Sequence, residues 1–61
     1  MVGEFVRSSD HHTGIVVDKI NSFKYRIYWF DIGDREYRPI DVREFVKLFK
    51  EWEAKQWWEH W

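Results

Sequence analysis

The chain contains no cysteine, so neither a disulfide framework nor a thiolate zinc site can reinforce its fold. It has a single proline, Pro39, and three glycines, which leaves few punctuation points between structured segments. No apolar run approaches the length of a membrane span, and no basic-then-apolar leader pattern opens the sequence. A soluble, cytoplasmic protein without membrane contact is therefore expected. Charge of one sign is also lacking: ten Lys and Arg stand against eleven Asp and Glu, for a net charge of −1. That balance argues against a broad basic face coating nucleic acid. There is no internal repeat and no low-complexity linker.

Aromatic rings are abundant instead, with five Trp, five Phe and three Tyr in 61 residues. A domain of this size buries only about 60% of its unfolded surface and is marginally stable. Rings that each bury on the order of 150–250 Å² can substitute for many aliphatic side chains. Heavy side chains and self-association are the means of stabilisation left open to it.

The densest β-forming stretch is Lys24 to Gly33, KYRIYWFDIG. Alternation places Tyr25, Ile27 and Trp29 on one face and Arg26, Tyr28 and Phe30 on the other. Asp31 to Asp34 supplies a turn in which Gly33 can take a positive φ. Before it, Val2 to Arg7 reads as a strand, Ser8 to Gly14 as a polar loop and Ile15 to Ile20 as a second strand, with a turn at Asn21-Ser22. After it, Arg35 to Arg38 reads as a fourth strand that Pro39 ends.

From Ile40 the pattern supports two readings. Asp41 and Glu44 fit a capping box that would start one long helix at Val42, in which Val42, Phe45, Phe49 and Trp52 share a face. Trp57, Trp58 and Trp61 then fall on roughly the opposite side. The alternative is a fifth strand at Arg43 to Leu48 followed by a separate helix from Phe49, with Ala54, Trp57, Trp58 and Trp61 as its stripe. The second is the expectation adopted here.

The order GEFVR, polar loop, GIVV, NSFKYRIYWFDIG and Tyr37 to Val42 resembles small SH3-like barrels of the Tudor and KOW type, and is most similar to short barrel proteins of tailed bacteriophages. The resemblance covers roughly residues 2 to 48. It implies a mainly β fold: a five-stranded SH3-like barrel over 1–48, extended by a Trp-rich helix over 49–61 within one domain. A phage origin would place it in the host cytoplasm. Where methyl-lysine-reading Tudor domains carry cage aromatics, the first loop here offers only His11 and His12, so no complete cage is expected.

No nucleophile–base pair, Gly-rich loop or metal-ligand spacing stands out, and no enzyme activity, cofactor or metal is expected. Asp10, His11 and His12 read as a solvated loop, since no third or fourth ligand accompanies them. His60 suits a helix C-terminus. Two surfaces remain. Trp52, Trp57, Trp58 and Trp61 form a partner-binding set, for a protein partner or a symmetric dimer, because Trp is enriched at binding hot spots. Arg26, Tyr28, Phe30, Tyr37 and Arg38 form an alternative set that could stack RNA, single-stranded DNA or a nucleotide. The expected role is a non-enzymatic interaction module.

Overall fold

The computed structural model describes the backbone of residues 1–59 and the side chains of residues 1–56; His60 and Trp61 lie outside the described residues, as do the side chains of Trp57 and Trp58. Among the described residues four strands, β1 (Phe5–Arg7), β2 (Thr13–Asn21), β3 (Lys24–Trp29) and β4 (Gly33–Tyr37), precede one helix, α1 (Pro39–Glu59). The strands form an antiparallel sheet in the order β1-β2-β3-β4, each paired with its neighbour in sequence. The sheet stays open. The helix, rather than a closing strand, covers one of its faces.

The organising strand sits as its alternation requires. Ile27 and Trp29 are buried and Tyr25 is half-buried on the helix side, while Tyr28 is exposed on the other. Val6, Val16, Ile27, Trp29, Val42 and Val46 make up the buried core, edged by Met1, Tyr25, Tyr37 and Phe45. Full burial of an aliphatic side chain stabilises by about 1.5–3 kcal/mol, so five of them and one tryptophan form a thin core. Three rings reinforce it. Trp29 meets Phe45 edge-on at 5.4 Å and Tyr37 at 6.0 Å, and Tyr37 meets Phe45 at 5.0 Å. Trp29 also donates its indole N–H to the Tyr37 hydroxyl at 2.9 Å, which satisfies the one polar atom that its burial puts at risk.

Two turns follow local chemistry. The Asn21 carboxamide accepts the Phe23 amide at 2.8 Å, a side-chain mimic of a backbone turn that starts the β2–β3 hairpin. Gly33 has φ +86° where β4 begins, the conformation its missing Cβ permits. Gly14, opposite Trp29, has a different reason to be glycine. A Cβ there would collide with the Tyr28 carbonyl oxygen and lie 3.0 Å from both Cα and Cε3 of Trp29. The indole ring occupies the space a side chain would need.

The expected five-stranded barrel is corrected in three respects. There is no fifth strand among the described residues, the sheet does not close, and the helix begins at Pro39 rather than near Phe49. Helix initiation explains the difference. Proline at the first helical position gives up no hydrogen bond, and the Arg38 carbonyl accepts the amides of Asp41 and Val42 at 3.0 and 3.1 Å. Asp41 lies in the first turn, favourable to the helix dipole, and binds Arg38 Nε at 3.2 Å. Within Arg43 to Leu48, Phe45 and Val46 both turn toward the core. Adjacent residues can share a helix face but not a strand face.

The opposed position of Trp57 and Trp58 did not break the helix. A 21-residue helix is about 31 Å long at 1.5 Å per residue. It packs on the sheet only as far as Trp52, through Val42, Phe45, Val46 and Phe49 and then Trp52 under Arg7 of β1; Glu53 to Gln56 are all exposed. The far end answers to no core face, so it need not continue the stripe.

Candidate interaction surface

Residues opposed across antiparallel strands share a face. Register therefore draws the outer face of the sheet directly. Phe5, Ile15, Tyr28 and Asp34 form one row across all four strands, and Asp18, Arg26 and Glu36 form another. Phe30 extends beyond Trp29, its amide bonded to the Thr13 carbonyl at 3.0 Å and its ring edge-on to Tyr28 at 5.9 Å. Phe5 is 48% exposed, Val17 43%, Tyr28 41% and Phe30 54%. α1 packs on the other face, so among the described residues Tyr28 and Phe30 stay uncovered. At the β1 edge the surface turns onto the helix: Phe5 stacks on Phe49 at 5.5 Å, and Phe49 meets Trp52 at 5.7 Å. A chain of aromatic contacts thus leads from the edge strand to Trp52.

The sequence-derived sets are regrouped by this geometry. Arg26, Tyr28 and Phe30 do stand together on the outer face. Tyr37 does not join them, because it pairs with Tyr25 and faces the core under Phe45. Arg38 lies beyond β4, engaged with Asp41 at the helix start. Of the tryptophan set, Trp52 is half-buried beneath the guanidinium of Arg7, 4.4 Å from the ring centroid. Trp57 and Trp58 lie on the helix, and Trp61 is outside the described residues. Phe5, Ile15 and Val17 were absent from both sets. The parity of Phe5 against Val6 was a usable signal for the first of them. Phe23, 77% exposed at the β2–β3 tip, carried no pattern signal at all.

Charges on the outer face are mixed. Arg26 approaches Asp18 at 3.9 Å, and Lys24 approaches Glu36 at 3.8 Å. Both pairs are exposed, where such contacts contribute about 0–1 kcal/mol. Cations gather elsewhere, with Arg43, Lys47 and Lys50 bordering a shallow hollow of about 490 Å³ along α1. Among the described residues no group of three or more His, Cys, Asp or Glu is placed to hold a metal ion, and no helix is long and apolar enough to cross a membrane.

His12 is tied down rather than free in its loop. Its Nδ1–H donates to Asp31 Oδ2 at 2.6 Å, joining the first loop to the β3–β4 turn, and its ring tilts against Trp29 at 6.4 Å. This hydrogen bond, assisted by backbone amides and the imidazolium charge, holds the Asp31 carboxyl below its ordinary value of 3.8. A depressed carboxyl pKa stabilises the fold above the unfolded value, and that contribution is lost as pH falls through the folded one. Asp31→Asn is accordingly expected to lower the thermal midpoint slightly at neutral pH. The difference from wild type should vanish in thermal melts taken progressively further below pH 3.8. An offset that persisted unchanged into strong acid would exclude the charge of Asp31 as its source.

Comparison with known proteins identified no matching family model, no matching curated protein and no matching solved structure.

Proposed function

We propose that this chain is an interaction module without catalytic activity, and that it receives a protein partner on the outer face of its sheet. One observation carries the reading: Tyr28 and Phe30 lie exposed and edge-on to each other on the face opposite the helix, beside the half-buried Ile15, with Phe5 exposed at the β1 edge. A contiguous exposed aromatic patch is unusual on a soluble monomer and marks a contact surface. A second copy is the simplest partner, because a two-fold axis lets one patch meet itself. The Trp-rich end of α1 is the other candidate for the same role. The resemblance to phage barrel proteins adds a host or phage protein as the further partner.

Nucleic-acid binding through Arg26, Tyr28 and Phe30 is the second reading, supported by two adjacent exposed rings beside a guanidinium. It is disfavoured by Asp18, Asp34 and Glu36, which stand in register with these residues and would repel phosphates. Its strength would fall steeply with salt, whereas an aromatic protein contact would barely respond.

Sedimentation over a range of concentrations tests the proposal, with wild type run beside Tyr28→Ser/Phe30→Ser. Both positions are exposed, so the fold should survive. Wild type is expected to dimerise and the double variant to remain monomeric. If Trp57→Ala/Trp58→Ala/Trp61→Ala abolishes the dimer while the sheet variant keeps it, the contact belongs to the helix end. Wild type that stays monomeric at every concentration rejects self-association.

A further inference from the structure

We propose that the cleft between the β1–β2 loop and the middle of α1 binds the dianion of a phosphate monoester. The cleft measures about 270 Å³ and lies apart from the Tyr28–Phe30 surface. Its walls carry Arg7, Ser8, Ser9, His11, Trp52 and Lys55. Five of these six can donate hydrogen bonds from flexible or cationic groups, and the sixth brings an indole N–H. The volume falls below the roughly 300–1,000 Å³ typical of sites for drug-sized ligands, so the cleft holds at most a compact group.

Arg7 is held in place before any ligand arrives. Its guanidinium lies over the Trp52 ring at 4.4 Å, donates to Thr13 Oγ1 at 3.0 Å and reaches His11 Nδ1 at 3.3 Å. Those bonds use two of its five N–H groups, which leaves donors for an anion. The same contact fixes the proton arrangement of His11. Because Arg7 can only donate, Nδ1 accepts, and the ring's own proton sits on Nε2, available to a ligand. Ser8 is prepared similarly. Its hydroxyl oxygen accepts the His12 amide at 3.2 Å, so its hydroxyl proton remains to be donated.

The loop holds this arrangement at a conformational cost. His11 has φ +70°, the left-handed region that non-glycine residues seldom adopt. Backbone bonds from His11 to Ser8 at 3.1 Å and from Ser8 to His12 at 2.9 Å close the loop around it and aim the imidazole at Arg7. Glu51 also borders the cleft, one helical turn before Lys55. Its carboxylate opposes anions in general. Discrimination against chloride therefore rests on hydrogen bonding: a phosphate monoester offers several acceptor oxygens to the Arg7, Ser8, Ser9, His11 and Lys55 donors, and chloride is a single spherical acceptor.

Titration of the full chain with inorganic phosphate at constant ionic strength, followed by amide and indole NMR shifts, tests the site. Saturable shifts are expected at Ser8, Ser9, His11 and the Trp52 indole, and chloride should not reproduce them. Lys55→Gln should weaken binding about tenfold, the value of one charge-assisted hydrogen bond. His11→Asn, which tolerates the left-handed backbone but shortens the donor, should weaken it as well. Glu51→Gln should tighten it. Comparing phosphoserine peptide with glycerol phosphate then assigns the source, a phosphorylated side chain or a small metabolite, by which binds more tightly. Shifts that fail to saturate, or affinities indifferent to both Lys55→Gln and Glu51→Gln in folded variants, would overturn the proposal.

Discussion

Trp29→Ala is expected to leave most of the protein unfolded at 37 °C. Truncating a large buried aromatic costs roughly 3–5 kcal/mol. At about 0.05–0.15 kcal/mol per residue, a chain of this length has only about 3–9 kcal/mol in total. Trp29 is 1% exposed, meets Tyr37 and Phe45 edge-on and fills the space above Gly14. Its loss removes the shared partner of both rings and leaves the Tyr37 hydroxyl without its donor. Trp29→Phe separates these contributions: it keeps a ring among rings but gives up the hydrogen bond, and its stability should fall between the other two. Denaturant titration measures all three. A midpoint unchanged in Trp29→Ala would show that the inward face of β3 is wrongly assigned.

Gly14→Ala should be the most damaging single-methyl addition in the sheet. The new carbon would meet the Tyr28 carbonyl, a backbone atom that cannot swing aside, as well as the Trp29 ring. Overpacking of this kind costs typically about 1–3 kcal/mol, and more where backbone must move. Gly3→Ala provides the contrast. Nothing lies within 4 Å of its added carbon, so any loss there comes from the positive φ of 87° alone. Thermal melts of the two variants should rank Gly14→Ala as clearly the less stable. The reverse order would mean that the indole does not sit over Gly14. In Gly14→Ala/Trp29→Phe the smaller ring yields some space, so the double variant should lose less than the sum of the single changes.

The strands were legible because alternation reports burial directly. Tyr25, Ile27 and Trp29 face inward and Tyr28 faces outward, Gly33 carries its positive φ, and Pro39 ends the fourth strand. The helical stripe Val42, Phe45, Phe49 and Trp52 was legible too, yet it was outweighed by the position of the last tryptophans. That inference assumed a helix must serve one core along its whole length. A helix longer than the sheet it covers is free of that requirement past its last contact. Tyr37 was misplaced for another reason. Its face depends on the register across the β3–β4 turn, where Trp29 pairs with Gly33 and Tyr25 with Tyr37. A one-residue change in that loop would have sent Tyr37 outward, and no periodicity within β4 decides it. The Arg7–Trp52 stack joins residues 45 positions apart and was beyond any local pattern.

The neighbour-to-neighbour strand order has a consequence for how the chain reaches this state. Each hairpin can zip from its own turn, so the ladder closes only short loops, and such local pairing permits rapid assembly. The core is different. Val6 shares its burial with Val42 and Val46, and Phe5 finds Phe49, so the first strand is clasped by the last element. A growing chain can form its hairpins as they emerge but cannot enclose Val6 until the helix has been made. Until then the inner face of the sheet, Trp29 included, stays open to water and to other chains, the exposure that makes partly folded species prone to aggregate.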